Sequence, residues 1–183
     1  MNIVYFDLET QKSADEVGGW GNKHLMRCSI GVTYSTREGL FKVFEEEDIP
    51  ALITDLASAD QVVGYNIINF DYQVLSGYSS FDFLKLPTLD LMVDLQHILG
   101  FRPKLESVSM GTLNTPKGGD GLKAIRWFNE GNFAQVAIYC KEDVRITRDV
   151  HQFGCKHGFV YCTDRAGGRL SARVPWLAPP AGD

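Results

Sequence analysis

No run of this chain is apolar enough to cross a bilayer, which takes about 20 consecutive apolar residues, and no basic-then-apolar leader opens it. A membrane role is excluded on this reading, and a cytoplasmic setting is expected. Cysteine is scarce. Cys28, Cys140, Cys155 and Cys162 form no Cys-x-x-Cys pair, so a disulfide scaffold does not fit and the thiols read as reduced. Cys155, His157 and Cys162 lack a fourth partner at zinc-site spacing. Internal repeats and linkers are absent too. The 183 residues suit one real core rather than two. That single domain is expected over residues 1–174, with 175–183 as a flexible tail.

Basic excess is also missing: the formal net charge is −5, the wrong sign for an ordinary nucleic-acid binder. The distribution is less uniform. Residues 1–64 hold eleven acids and five bases, whereas 102–126 hold five bases and two acids. From His151 onward four bases face two acids. Each basic cluster fits either an anionic partner or a solvated face.

What the chain does have is three acidic motifs set in apolar surroundings: Asp7-Leu8-Glu9-Thr10, then Asn66 to Asp71 (Asn-Ile-Ile-Asn-Phe-Asp), then Tyr139 to Asp143 (Tyr-Cys-Lys-Glu-Asp). A carboxylate in such a place is costly unless something offsets its charge. Residues 2–8 read as a strand. Period two puts Ile3, Tyr5, Asp7 and Glu9 on one face, with Val4, Phe6 and Leu8 on the other. Asp7 and Glu9 then suit one hard cation, although a strand end fraying into solvent would look the same. Residues 132–157 read as one long helix with Asn132 as its N-cap. On it Tyr139 and Asp143 share an apolar stripe with Ile146, Val150 and Phe153. A capping or ion-paired aspartate fits that mid-helix place poorly. Asp71 falls at a helix start, where capping alone explains a carboxylate.

As an ordered set the motifs resemble the DEDD superfamily of 3′–5′ exonucleases, in its tyrosine-bearing DEDDy subclass, over roughly residues 2–150. The nearest likeness is to proofreading domains of family-B DNA polymerases. The histidine-bearing subclass would need His where Ile138 stands. The resemblance implies an α/β, ribonuclease-H-like mixed sheet with helices on both faces. It implies two divalent ions, Mg²⁺ or Mn²⁺, held by Asp7, Glu9, Asp71 and Asp143. Asp7 bridges the two ions, Glu9 and Asp143 hold the one carrying the attacking water, and Asp71 supports the second. Tyr139 orients that water. Leu8 and Thr10 contact the terminal nucleotide, with Asn66 and Phe70 also on the substrate side. The implied reaction is hydrolysis of single-stranded nucleic acid, DNA favoured, from its 3′ end to nucleoside monophosphates, alone or beside a helicase or polymerase. The alternative is a non-catalytic nucleic-acid-binding module on the same fold.

The order of elements agrees. A hairpin over 26–36 and 40–45 is expected to join the first strand. A helix over 49–59, a strand over 61–65 and a strand-then-helix over 88–99 follow. Helices near 105–113 and 122–128 precede the long one, and a hairpin over 158–163 and 169–174 comes last. Three features stay open. Trp20, in a glycine-rich loop, either stacks on a base or tucks into the core, the second being favoured. Lys117, in the loop over 115–121, is a candidate phosphate contact. Asp90 and Asp94 either assist the metal or serve structure, Asp90 as a helix cap.

Overall fold

Both faces of the first strand are apolar, so it can be satisfied only between two layers. In a computed structural model that describes residues 1–115, 121–163 and 168–176, β1 (Ile3–Thr10) runs up the centre of a five-stranded sheet of order β3-β2-β1-β4-β5. β2 (Cys28–Ser35) and β3 (Leu40–Glu45) add to it antiparallel, while β4 (Gln61–Gly64) and β5 (Thr88–Asp90) run parallel to it. The sheet is mixed, as expected.

Alternation along β1 separates the two cores as period two requires. Val4, Phe6 and Leu8 pack with α1 (Ile49–Ala57) and α2 (Asp71–Leu75) on one face. Ile3 and Tyr5 pack on the other with α3 (Leu91–Leu99), α4 (Leu105–Leu113), α5 (Gly121–Asn129) and α6 (Phe133–His157). Helices therefore cover both faces. The Asn132 side chain accepts from the Gln135 N–H and starts α6, and Gly158, at φ 75°, ends it in the left-handed conformation that glycine adopts without penalty. Val136, Tyr139, Asp143, Ile146 and Val150 are buried along α6. Phe153, at the end of the expected stripe, is half-buried.

The last hairpin, β6 (Phe159–Thr163) and β7 (Arg169–Arg173), forms its own two-stranded sheet and packs on α4. Gly111 allows this approach. A Cβ there would stand 2.8 Å from the Tyr161 carbonyl carbon, and backbone cannot swing aside. Residues 164–167, between these two strands in sequence, lie outside the described residues, as do Lys117 and 177–183. The expectation of a loose tail from 175 onward fails at its start. Trp176 is only 5% exposed. Its ring lies over Gly154, and its Nε1–H donates to Asp94 Oδ2 at 3.0 Å. That bond gives Asp94 a structural duty. Among the described residues no helix is long and apolar enough to cross a membrane.

His151 sits fully buried beneath Trp176, with Nδ1 2.9 Å from Tyr5 Oη and Nε2 3.3 Å from Cys155 Sγ. Burial holds its imidazole down at about 4. The unfolded chain binds that proton near pH 6.5, so the folded state loses stability as pH falls from 6.5 toward 4. The loss attributable to this one group is about 3 kcal/mol. Urea unfolding at pH 7 and pH 4.5 checks it. A His151→Gln variant, which cannot titrate, is expected to lose ~2 kcal/mol less than the wild type between the two pH values. An equal loss in both proteins rejects His151 as the acid-sensitive group.

Candidate active site

β4 reaches only as far as Tyr5 on β1, pairing Ile3–Tyr5 with Gln61–Val63. Beyond that point the edge of β1 has no parallel neighbour, and a backbone N–H left there needs another acceptor. Asp71 supplies it: its Oδ1 accepts from the Leu8 N–H at 2.9 Å. The carboxylate thus serves more than the start of α2, whose N-cap residue Phe70 makes no side-chain cap: it also ties the helix to β1. Asp71 is 2% exposed. Burial, and then the charge of Asp7, push its carboxyl well above the usual range.

Asp7 and Glu9 emerge from the α6 side of β1, one pleat repeat apart. The pairing of β1 with β2 shifts register between Glu9 and Thr10. Such bulges turn side chains at strand ends. From the facing helix comes Asp143, on the buried stripe. Asp7, Glu9 and Asp143 each present a carboxylate oxygen within 4.8 Å of the other two. Glu9 and Asp143 are buried and Asp7 is half-buried. Three of the four expected ligands are thus brought together by the strand and the helix. Asp71 meets β1 at the edge that β4 leaves open, close enough to feel Asp7 but outside that trio.

One neighbour was not anticipated. Cys140 Sγ donates to the Asp7 carbonyl at 3.3 Å and to Asp7 Oδ2 at 3.4 Å. Burial first, and then the charges of Asp7, Glu9 and Asp143, push its thiol well above the usual value, so it remains a donor. The available signal was its place three residues before Asp143, on the same helix face. Tyr139 is 5% exposed, its ring edge-on to Trp127 at 5.9 Å between centroids.

A cleft of about 440 Å³ opens beside the acids, walled by Glu9, Thr10, Trp20, Phe70, Leu122 and Ile125. Trp20 is 66% exposed, which overturns the expectation that it tucks into the core. It leans toward Phe70, with 6.3 Å between ring centroids. Asn66 and Asp90 serve structure. Asn66, at φ 67°, turns the chain into α2, and its side-chain oxygen accepts from Arg102 Nη2 at 2.9 Å. Asp90 accepts from the Asn66 and Ile68 N–H groups and caps α3 through Met92 and Val93. Neither Asp90 nor Asp94 joins the trio.

Buried acids this close repel one another, and hard divalent cations with oxygen ligands offset that charge. The donor set of Asp7, Glu9 and Asp143, with Asp71 near, fits Mg²⁺ or Mn²⁺ on chemistry and separation.

The fold is α/β, with a ribonuclease-H-like mixed sheet. The chain matches no protein-family model and no curated protein. Among solved structures it is similar to the family B DNA polymerase of the hyperthermophilic archaeon Pyrobaculum calidifontis, at TM-score 0.60 and 17% identity. The alignment covers 84% of this chain and 24% of the polymerase. It also matches the zinc-bound form of the E. coli ExoI–ssDNA complex at TM-score 0.49 and 13% identity, over 85% of this chain and 41% of that one. The chain spans well under half of either protein.

Metal addition and charge removal test the site without reference to turnover. Saturating Mn²⁺, about a hundredfold over its dissociation constant, is expected to add about 2.7 kcal/mol, or ~5–10 °C in Tm. Asp7→Asn is expected to melt higher than the wild type in EDTA, because a charge repelling Asp71 is gone, and to gain little from Mn²⁺. A full Mn²⁺ shift in the variant rejects Asp7 as a ligand.

Proposed function

We propose that this chain is a metal-dependent 3′–5′ exonuclease that hydrolyses single-stranded nucleic acid, DNA in preference to RNA, to nucleoside monophosphates. The observation that carries this reading is the meeting of Asp7, Glu9 and Asp143 within 4.8 Å, beside a cleft with an aromatic wall. The motif order and the fold-level likeness to part of a family B polymerase support it as analogy.

Asp7, Glu9 and Asp143 would hold the divalent ions, with Asp71 supporting from the open edge of β1. Two such ions supply a water of lowered pKa and stabilise the charge on the leaving oxygen. The Cys140 thiol, donating to Asp7 Oδ2, keeps that carboxylate turned toward its partners. Tyr139, on the buried stripe of α6 with Asp143, orients the attacking water, a role that suits a phenol better than proton abstraction at neutral pH. Trp20 and Phe70 offer faces on which a terminal base stacks irrespective of its identity. Leu8 and Thr10 flank the terminal sugar. A free, unpaired 3′ end fits this arrangement, since a paired end must first give up a few kcal/mol of stacking and pairing.

Linear single strands labelled at the 5′ end should give a stepwise ladder shortening from the 3′ end with Mg²⁺ or Mn²⁺, and blunt duplexes should react more slowly. Asp7→Asn and Asp143→Asn are each expected to slow turnover by about a thousandfold or more while leaving the fold intact. Tyr139→Phe is expected to cost less than Asp143→Asn, though still ~10²-fold or more, since its ring packing survives. Circular single strands cut as fast as linear ones would reject exonucleolytic action. Binding without cleavage would select the non-catalytic module instead.

A further inference from the structure

Among the described residues, the β6–β7 hairpin contributes none to the acidic site. It packs through one face only. Val160, Cys162 and Ala172 are buried, and Ser107 and Thr112 of α4 donate to the Thr163 and Tyr161 carbonyls, each at 2.7 Å. Alternation then places Phe159 and Tyr161 on the outer face, opposite Arg173 and Ser171 respectively. A sheet face left to water ordinarily carries polar side chains. This one carries rings, and the row continues onto α6. Ring centroids lie 4.3 Å apart for Phe153 and His157, 5.9 Å for Phe153 and Phe159, and 5.2 Å for Phe159 and Tyr161. The Arg169 guanidinium lies 3.5 Å from the Tyr161 ring centroid.

Charge sets this end of the molecule apart. The chain as a whole has 23 acids and 18 bases, yet residues 151–183 hold four bases and two acids. They include Lys156, Arg169 and Arg173, and the last two are exposed. A guanidinium stacked on tyrosine is held flat. Its second face can take a base and its N–H groups a phosphate. Aromatic rings alternating with cations are what a single strand requires, with stacking for bases and charge for the backbone.

We propose that the ribbon of Phe153, His157, Phe159, Tyr161, Arg169 and Arg173 is a second binding platform for single-stranded nucleic acid, holding the strand 5′ of the nucleotide at the carboxylates. This rests on the nuclease reading of the acidic site. α6 joins the two places. At a rise of about 1.5 Å per residue, Asp143 and His157 are ~20 Å apart along the helix. A very short strand occupies the acids alone, and a longer one reaches both sites. The ribbon therefore governs affinity for long substrates and leaves the chemical step unchanged.

The experiment compares wild type, Tyr161→Ala, Tyr161→Phe and Arg169→Glu. Binding is read in EDTA by anisotropy on a strand of roughly 20 nucleotides, longer than the ~16-nucleotide reach of one ordinary single-strand fold. Cleavage is read with Mn²⁺ on a tetranucleotide. Tyr161→Ala is expected to weaken long-strand binding between about fivefold and a hundredfold, the range for one lost base stack. Tyr161→Phe should restore it. Arg169→Glu, at an exposed position, should weaken it at least as much and lower the salt dependence by about one phosphate contact or more. All four proteins should cleave the tetranucleotide alike. Unchanged long-strand binding in Tyr161→Ala and Arg169→Glu, with tetranucleotide cleavage intact, overturns the ribbon proposal and leaves the nuclease reading standing. Failure of the wild type to cleave either substrate overturns the nuclease reading, and the ribbon proposal with it.

Discussion

Like charges held out of water around one strand are the condition that everything else in this molecule accommodates. Asp7 and Asp71 both meet β1, and burial first, then the charge of Asp7, raises the carboxyl of Asp71. Left alone, buried acids at this separation would turn outward or take up protons. They are kept in place because donors meet them, the Leu8 N–H at Asp71 and the Cys140 thiol at Asp7. The backbone that carries them has no freedom to retreat. Asp7 lies between Phe6 and Leu8, which are buried in one core, and Glu9 faces the other core through its neighbour across the sheet, Ile30.

That rigidity explains the division of labour between elements. The acids come from a central strand and from the buried stripe of the longest helix, where packing fixes each rotamer. Sites built on such elements are more exact than sites on loops. The cleft wall is assembled differently. Trp20 comes from a short 3₁₀ segment between strands, and Leu122, 62% exposed, from the first turn of α5. Apolar side chains of that size left in water beside a charged pocket are typical of a surface that meets a ligand. The acids are thereby held on the rigid part of the fold, and the exposed aromatic and apolar side chains on its rim.

Much of this was legible in the chain. α4 begins and ends where its apolar spacing placed it, α6 starts at the expected cap, and the faces of β1 sort as period two dictates. The misses share a cause. Asp71 looks like a cap because a carboxylate at a helix start is favoured locally; its other partner, the Leu8 N–H, is 63 residues away and is exposed only because β4 stops short. Trp176 looks like tail because proline and small residues surround it, yet Gly154, distant in sequence, leaves space for its ring. Trp20 could have gone inward or outward, and nothing within its loop decides which.

The sequence by itself determined the kinds of element, their order, and the residues able to carry acidic chemistry, because periodicity, caps and turn residues act over a few positions. Only the tertiary structure decided which acids share one point, that Cys140 donates to Asp7, that Trp20 stands in water beside Phe70, and that the hairpin turns its rings and arginines outward. These depend on where strands end and how closely helices approach them. Both are settled by packing between residues far apart in the chain, whose mutual register no local pattern encodes.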